Sequence, residues 1–166
     1  MSFSSSPGAD PTGKASPKPD RMLLTDLDPV ANGDGGGTED SGYFEVGSGT
    51  VDNTDYGYGR ALVSAFSYDE EVFCSGYWEY NLSREWEKLT MLTGIDDDSE
   101  HRTAWITVEL DDKKLYEGEI AVGKPAHITR DITRGLRLRI SHDTAPGDGS
   151  YCDMGDVVIG NPTLRR

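Results

Sequence analysis

Residues 104–164 decide the fold: AWITVELDDKKLYEGE (104–119), ITRDITRGLRLRISHD (128–143) and GDGSYCDMGDVVIGNPTL (147–164). In Ala104–Leu110 the side chains of Ala104, Ile106, Val108 and Leu110 point one way, and Trp105, Thr107 and Glu109 the other. In Leu136–Ser141 the apolar set is Leu136, Leu138 and Ile140, with Arg137, Arg139 and Ser141 opposite. A period of two means one buried and one wet face per strand, the mark of an antiparallel sheet. Between the first strand and Leu115–Tyr116 stands Asp111-Asp112-Lys113-Lys114, a polar hairpin connection in which Asp tolerates a left-handed backbone. A helix over Ala104–Leu110 competes, but its β-branched and aromatic content favours a strand.

Working outward, Met22–Leu27 reads as a short first strand, and Asp28–Gly42 as an irregular loop around Asn32-Gly33-Asp34-Gly35-Gly36-Gly37. Tyr43–Val46, Gly59–Phe66, Val72–Leu82 and Leu89–Ile95 read as strands, the last stopping at the acidic turn Asp96-Asp97-Asp98. Ser83–Lys88 is the one place for a helical turn. About eight strands at this spacing predict an all-β antiparallel sandwich that presents loops at one end. Residues 1–21 are Ser/Pro/Gly-rich with almost no apolar content, which predicts a disordered linker or tail ahead of one domain over 22–166.

The chain has 166 residues and a net charge of −14. Lys14, Lys18 and Arg21 outnumber Asp10 and Asp20 in the tail, so all the net acidity belongs to the domain. That charge opposes binding to nucleic acid or an anionic membrane, and no stretch is long and apolar enough for a membrane-spanning helix. A solvated secreted domain, a calcium site or a neutral ligand all agree with it. The tail has no basic and apolar leader pattern, while a Ser/Pro linker before a β-domain fits part of a larger exported protein, extracellular or at the cell surface. A cytoplasmic protein is the other reading. Nucleophile elbow, zinc-helix and phosphate-loop motifs are all missing from the sequence, and its histidines are His101, His127 and His142, so no catalytic constellation is expected.

Six segments in order carry a resemblance: TDLDPV with NGDGG, VDNTDYGYGRALVS, WEYNLSREWEKLTMLTGIDDD, WITVELDDKKLYEGE, DITRGLRLRISHD and GDGSYCDMGDVVIGNPTL. In order and spacing they resemble the bacterial NPCBM family of carbohydrate-binding modules over Leu23–Leu164. The resemblance implies a galactose-binding-like β-sandwich (a jelly roll), often with a structural calcium ion, and non-catalytic glycan recognition beside a glycoside hydrolase. Two positions depart from the family: Ser64 stands where histidine is common, and a tryptophan usual near Val157 is missing. An extracytoplasmic protein-interaction or sensor domain that kept the fold without the sugar site is the alternative.

A sugar site needs an aromatic face and planar polar groups for the hydroxyls. On the expected loops and strands the aromatic candidates are Tyr56, Tyr58, Trp78 and Tyr151, and the polar ones Asn32, Asp34, Arg60, His142 and Asp143, with galactose-type sugars as the ligand. Each has a structural role open to it as well: Trp78 as strand packing, and Tyr56 and Tyr58 as part of a turn at Gly57 and Gly59. For calcium, which takes oxygen ligands, the candidates are Asp26, Asp28, Asp153 and Asp156, with Asp34 beside the first two, and the acidic turns at Asp96–Asp98 and Asp148–Asp153 as further sources of oxygen; solvated acidic turns are the alternative. Cys74 and Cys152 lack metal-ligand spacing and suggest a disulfide, with two buried thiols as the other reading. Thiol titration of the unfolded protein without reductant is expected to find no reactive cysteine; two reactive thiols would overturn the disulfide.

Overall fold

The computed structural model describes residues 18–33, 43–65, 75–143 and 155–166. These form β1 (Arg21–Leu23), a 3-10 turn (Leu24–Asp26), β2 (Ala31–Gly33), β3 (Tyr43–Val51), β4 (Thr54–Ala65), β5 (Gly76–Asn81), β6 (Lys88–Ile95), β7 (Thr103–Leu110), β8 (Lys113–Ala121), β9 (Ala126–Asp131), β10 (Arg137–Asp143) and β11 (Val157–Arg165). Every pairing is antiparallel. One sheet runs β3-β4-β11-β6-β9, with β1 also on β11; the other runs β2-β5-β10-β7-β8. The fold is the expected all-β sandwich.

Alternation decides which faces meet. From the five-stranded sheet Tyr80, Ile106, Val108, Leu138 and Ile140 point inward. Leu62, Leu89, Met91, Val157 and Ile159 meet them from the six-stranded sheet in one continuous core. Two-residue turns with both residues at positive φ close β3–β4 at Asp52-Asn53 (47° and 62°) and β7–β8 at Asp111-Asp112 (48° and 66°). This is the turn geometry that matches strand twist. The Asp111 carboxylate accepts the backbone N–H groups of Arg137 (2.9 Å) and Leu136, which fastens the β7–β8 turn to β10.

The β3–β4 hairpin does not stay flat. Gly47 pairs with Ala61 but Gly49 pairs with Tyr56, so residues 57–60 bulge out opposite a single residue. Beyond that crease the hairpin folds back over the outer face of the six-stranded sheet. There Val51 and Tyr56 pack with Ala61 and Val158 in a second, smaller apolar cluster. The approach is so close that a Cβ on Gly160 would stand 2.5 Å from the Tyr56 ring, and one on Gly94 2.4 Å from Val51. The folded-over tip is held by the acidic turn after β6. Asp97 accepts the N–H groups of Asp52 and Asn53, both at 2.9 Å, and Asp96 accepts that of Thr50 at 3.2 Å.

Some elements differ from the sequence reading. Met22–Leu27 is a three-residue strand followed by a 3-10 turn rather than one strand. Ser83–Lys88 forms no helical turn: Ser83 and Arg84 have φ of 53° and 57°, incompatible with a right-handed helix, and Lys88 already belongs to β6. The strands number eleven among the described residues, because β2 and β9 are short and β4 starts five residues before Gly59. Residues 18–21 take part in the fold: Lys18 pairs with Glu85, Arg21 opens β1, and Arg166 donates to the carbonyls of Pro19 and Glu85 while its guanidinium lies 4.5 Å from the Trp86 ring centre.

Overpacking a tight contact costs about 1–3 kcal/mol. Gly160→Val is therefore expected to lower unfolding free energy by that amount in urea melts. Gly57→Ala, with nothing within 4 Å of its Cβ position, is expected to stay within about 0.5 kcal/mol of wild type. Equal stability of the two variants would contradict the packed-down hairpin.

Candidate functional site

Because β5, β10 and β7 lie side by side, three registers set outward-facing side chains in rows. Tyr77, Ser141 and Thr107 form one row, Asp143 and Trp105 the next toward the loop end, and Glu79, Arg139 and Glu109 the one behind. Their inward neighbours on the same strands belong to the core, so the outward direction of this set follows from the pleat.

The rows enclose a cleft of about 270 Å³ lined by Tyr77, Trp105, Thr107, Arg139, Ser141 and Asp143, among others. It lies near the small end of the range for small-molecule sites, roughly 300–1,000 Å³. Short side chains, Thr107 and Ser141, make the floor, and aromatic rings stand to either side. The Arg139 guanidinium lies 3.7 Å from the Tyr77 ring centre, a cation–π stack that fixes its plane. Its Nε is buried and has no acceptor within the described chain, so hydrogen bonding to a ligand falls to the guanidinium's terminal NH2 groups. The site offers ring faces, a planar fork of donors, hydroxyls and one carboxylate, which suits recognition of a polyhydroxylated molecule by stacking and hydrogen bonding.

The sequence candidates do not form one site. Asp143 lines the cleft, and the His142 backbone borders it, but the His142 side chain is 1% exposed and packs edge-on against Phe44 at 4.8 Å between centres. Trp78 is 9% exposed, stacked edge-on with Phe44 and Tyr80, and its Nε1 has no acceptor in the described chain. Both therefore pack in the core rather than facing a ligand, because β5 and β10 turn these positions inward. Tyr56 lies in the folded-back part of β4, over Gly160, on the other sheet. Tyr58, 82% exposed, and Arg60 stand on the crease of that hairpin. Asn32 is paired in β2 opposite Trp78. Asp34, Tyr151, Asp153, Cys74 and Cys152 lie outside the described residues.

Sequence reasoning missed Tyr77, Trp105, Thr107, Arg139 and Ser141 as site residues. The available signal was a tryptophan and a tyrosine on the wet faces of two strands, where water-facing positions are normally polar.

The acidic residues have structural work. Asp96 and Asp97 hold the hairpin tip, and Asp96 also accepts the N–H of Asp98 at 2.9 Å. Asp26 and Asp28 are exposed beside the 3-10 turn. Among the described residues no three His, Cys, Asp or Glu side chains converge as metal ligands, and two of the calcium candidates, Asp34 and Asp153, lie outside those residues. The Ser64 hydroxyl accepts the Val157 N–H at 2.9 Å, which ties β4 to the start of β11.

No protein-family model matches the chain, and no curated protein sequence does. Solved structures do match in fold. A family 51 carbohydrate-binding module from a Clostridium perfringens GH95 enzyme, solved with methyl-galactose, superposes with a TM-score of 0.62 at 12% identity. The match covers 87% of this chain and 99% of that one. The tandem family 51 modules of Sp3GH98, a family 98 glycoside hydrolase of Streptococcus pneumoniae, give 0.62 at 15% identity, covering 88% of this chain and 47% of that one. The cleaved K2 adhesin domain of Lys-gingipain gives 0.53 at 12% identity, covering 88% and 98%. The antiparallel β-sandwich fold is thereby shared with carbohydrate-binding modules.

Desolvation and then the nearby Asp96 charge raise the pKa of Asp156. A carboxyl whose folded value is raised binds more protons folded than unfolded, so its contribution falls as pH rises from about 3.9 through the raised value. Asp156→Asn is therefore expected to melt higher than wild type at pH 7, with the gap closing toward pH 4. A constant gap, or a lower melting temperature for the variant at pH 7, would contradict this electrostatic conflict.

Proposed function

We propose that this domain is a non-catalytic carbohydrate-binding module whose glycan lies in the cleft of β5, β10 and β7. The observation that carries the reading is the pair of walls, Trp105 on one side and the Tyr77–Arg139 stack on the other, above a floor of Thr107 and Ser141. A pyranose presents an apolar C–H face and a rim of hydroxyls. The rings take the first, and Arg139 and Asp143 take the second. The cleft replaces the end-loop site expected from sequence as the centre of recognition, with Asp143 as the residue common to both.

The shared fold with family 51 modules supports this reading, and galactose-type sugars are the first ligands to test. In the same reading the domain works outside the cytoplasm as part of a larger exported protein. A protein-interaction role is the second reading, favoured by the solvent-exposed Tyr58 on the hairpin crease and by the likeness to an adhesin domain.

A shallow cleft that holds one sugar is expected to contribute about −4 to −8 kcal/mol, a Kd on the order of 1 mM to 1 μM. Galactose and galactose-containing oligosaccharides are expected to bind in this range by calorimetry. Trp105→Ala is expected to weaken binding about ten-fold or more with an unchanged melting profile. Silence across a broad glycan array, together with capture of a defined protein through the Tyr58 surface, would replace the sugar reading with the second one.

A further inference from the structure

The outer face of the six-stranded sheet carries a second groove, of about 240 Å³, on the side of the sandwich opposite the first cleft. One wall is the rim of the Tyr56 ring, which is 9% exposed and lies directly on the Gly160 backbone. Polar groups reach it from three strands: Thr90 on β6, His127 and Thr129 on the edge strand β9, and Asn161 on β11.

The last of these is placed by a backbone irregularity. Register shifts between Gly160 and Thr163 in β11, and Asn161 has a φ of 45°. A bulge in a strand between two partners interrupts its ladder, and bulges of this kind re-aim a side chain. Here the bulge leaves Asn161 exposed at the groove while Pro162 and Thr163 return to the interior. No lining residue carries a formal charge when His127 is neutral. The chemistry is an imidazole, an amide and hydroxyls beside the rim of a largely buried ring, which fits hydrogen bonding to a neutral polyhydroxylated chain rather than to an ion.

From this we propose that the groove of Tyr56, His127 and Asn161 is a second, independent neutral-glycan site, which makes the domain divalent. The inference rests on the sugar reading of the first cleft and extends it. The two sites look away from each other across both sheets, whose separation alone is about 10 Å. A short oligosaccharide cannot reach both, so a polysaccharide is cross-linked.

The test uses the full chain, a galactose-containing oligosaccharide for stoichiometry by calorimetry, and galactomannan for light scattering. Wild type is expected to bind two oligosaccharides per chain and to raise scattering with galactomannan. Asn161→Gly, which keeps the left-handed backbone and removes the amide, and His127→Ala are each expected to weaken the second site about ten-fold and suppress cross-linking. The first site would stay intact in both. Trp105→Ala is expected to leave one functional site, and Trp105→Ala with His127→Ala none. One site in wild type, abolished by Trp105→Ala and untouched by Asn161→Gly, overturns the second site and leaves the first standing. One site that survives Trp105→Ala but is lost in Asn161→Gly keeps this groove and overturns the first cleft. No binding of either carbohydrate overturns both.

Discussion

The contact on which the surface of this sandwich depends is a hairpin laid back onto its own sheet. Dispersion forces fall off steeply with distance, so the apolar cluster of Val51, Tyr56, Ala61 and Val158 requires the backbones to come close. The missing Cβ atoms at Gly94 and Gly160 make that approach possible, and the crease at residues 57–60 supplies the reversal. Part of the outer face that alternation alone would leave wet is thereby covered. The remainder becomes a groove whose wall is the hairpin's own tyrosine.

A second regularity lies in where the carboxylates point. Asp97 and Asp111 each accept two backbone N–H groups at turns, and Asp131 accepts that of Thr133 at 2.8 Å. For Asp111 these bonds from Arg137 and Leu136 hold the pKa below the usual carboxylate range; for Asp131 the bonds from Thr133 do the same. Part of the net charge of −14 is therefore the by-product of fastening turns with acids. Asp156 runs against this pattern: burial and then the nearby Asp96 charge raise its pKa against the opposing pull of His101.

The parts of the fold visible in the sequence are those with a local signature. Ala104–Leu110 and Leu136–Ser141 alternate; the first lies within β7 and the second, except for Leu136, within β10, with Leu138 and Ile140 inward as expected. Asp111-Asp112 sits in a left-handed turn as its composition predicts. The glycines of residues 47–59 were harder to interpret, because a glycine that permits close approach and one that breaks a strand look alike in one dimension. The cleft was hidden for a different reason. Alternation places Trp105 on a wet face but does not print its neighbours. Tyr77 and Arg139 reach it only through the non-consecutive order β5-β10-β7.

That ordering matters as strongly in the other sheet. β11 lies between β4 and β6, and its final residues also pair with β1. Residues 157–165 follow every other strand of the domain in sequence, so until they are synthesised β4 and β6 can each make their other pairing but cannot join one another. Until then Val63, Leu62 and Ala61 on one side and Leu89–Ile95 on the other present unpaired backbone edges. Long-range pairing of this kind is slow to form, and open edges invite other strands. The six-stranded sheet is thus completed only by the domain's final strand, and a domain cut short of Val157 is left with two half-sheets and a gap at their centre.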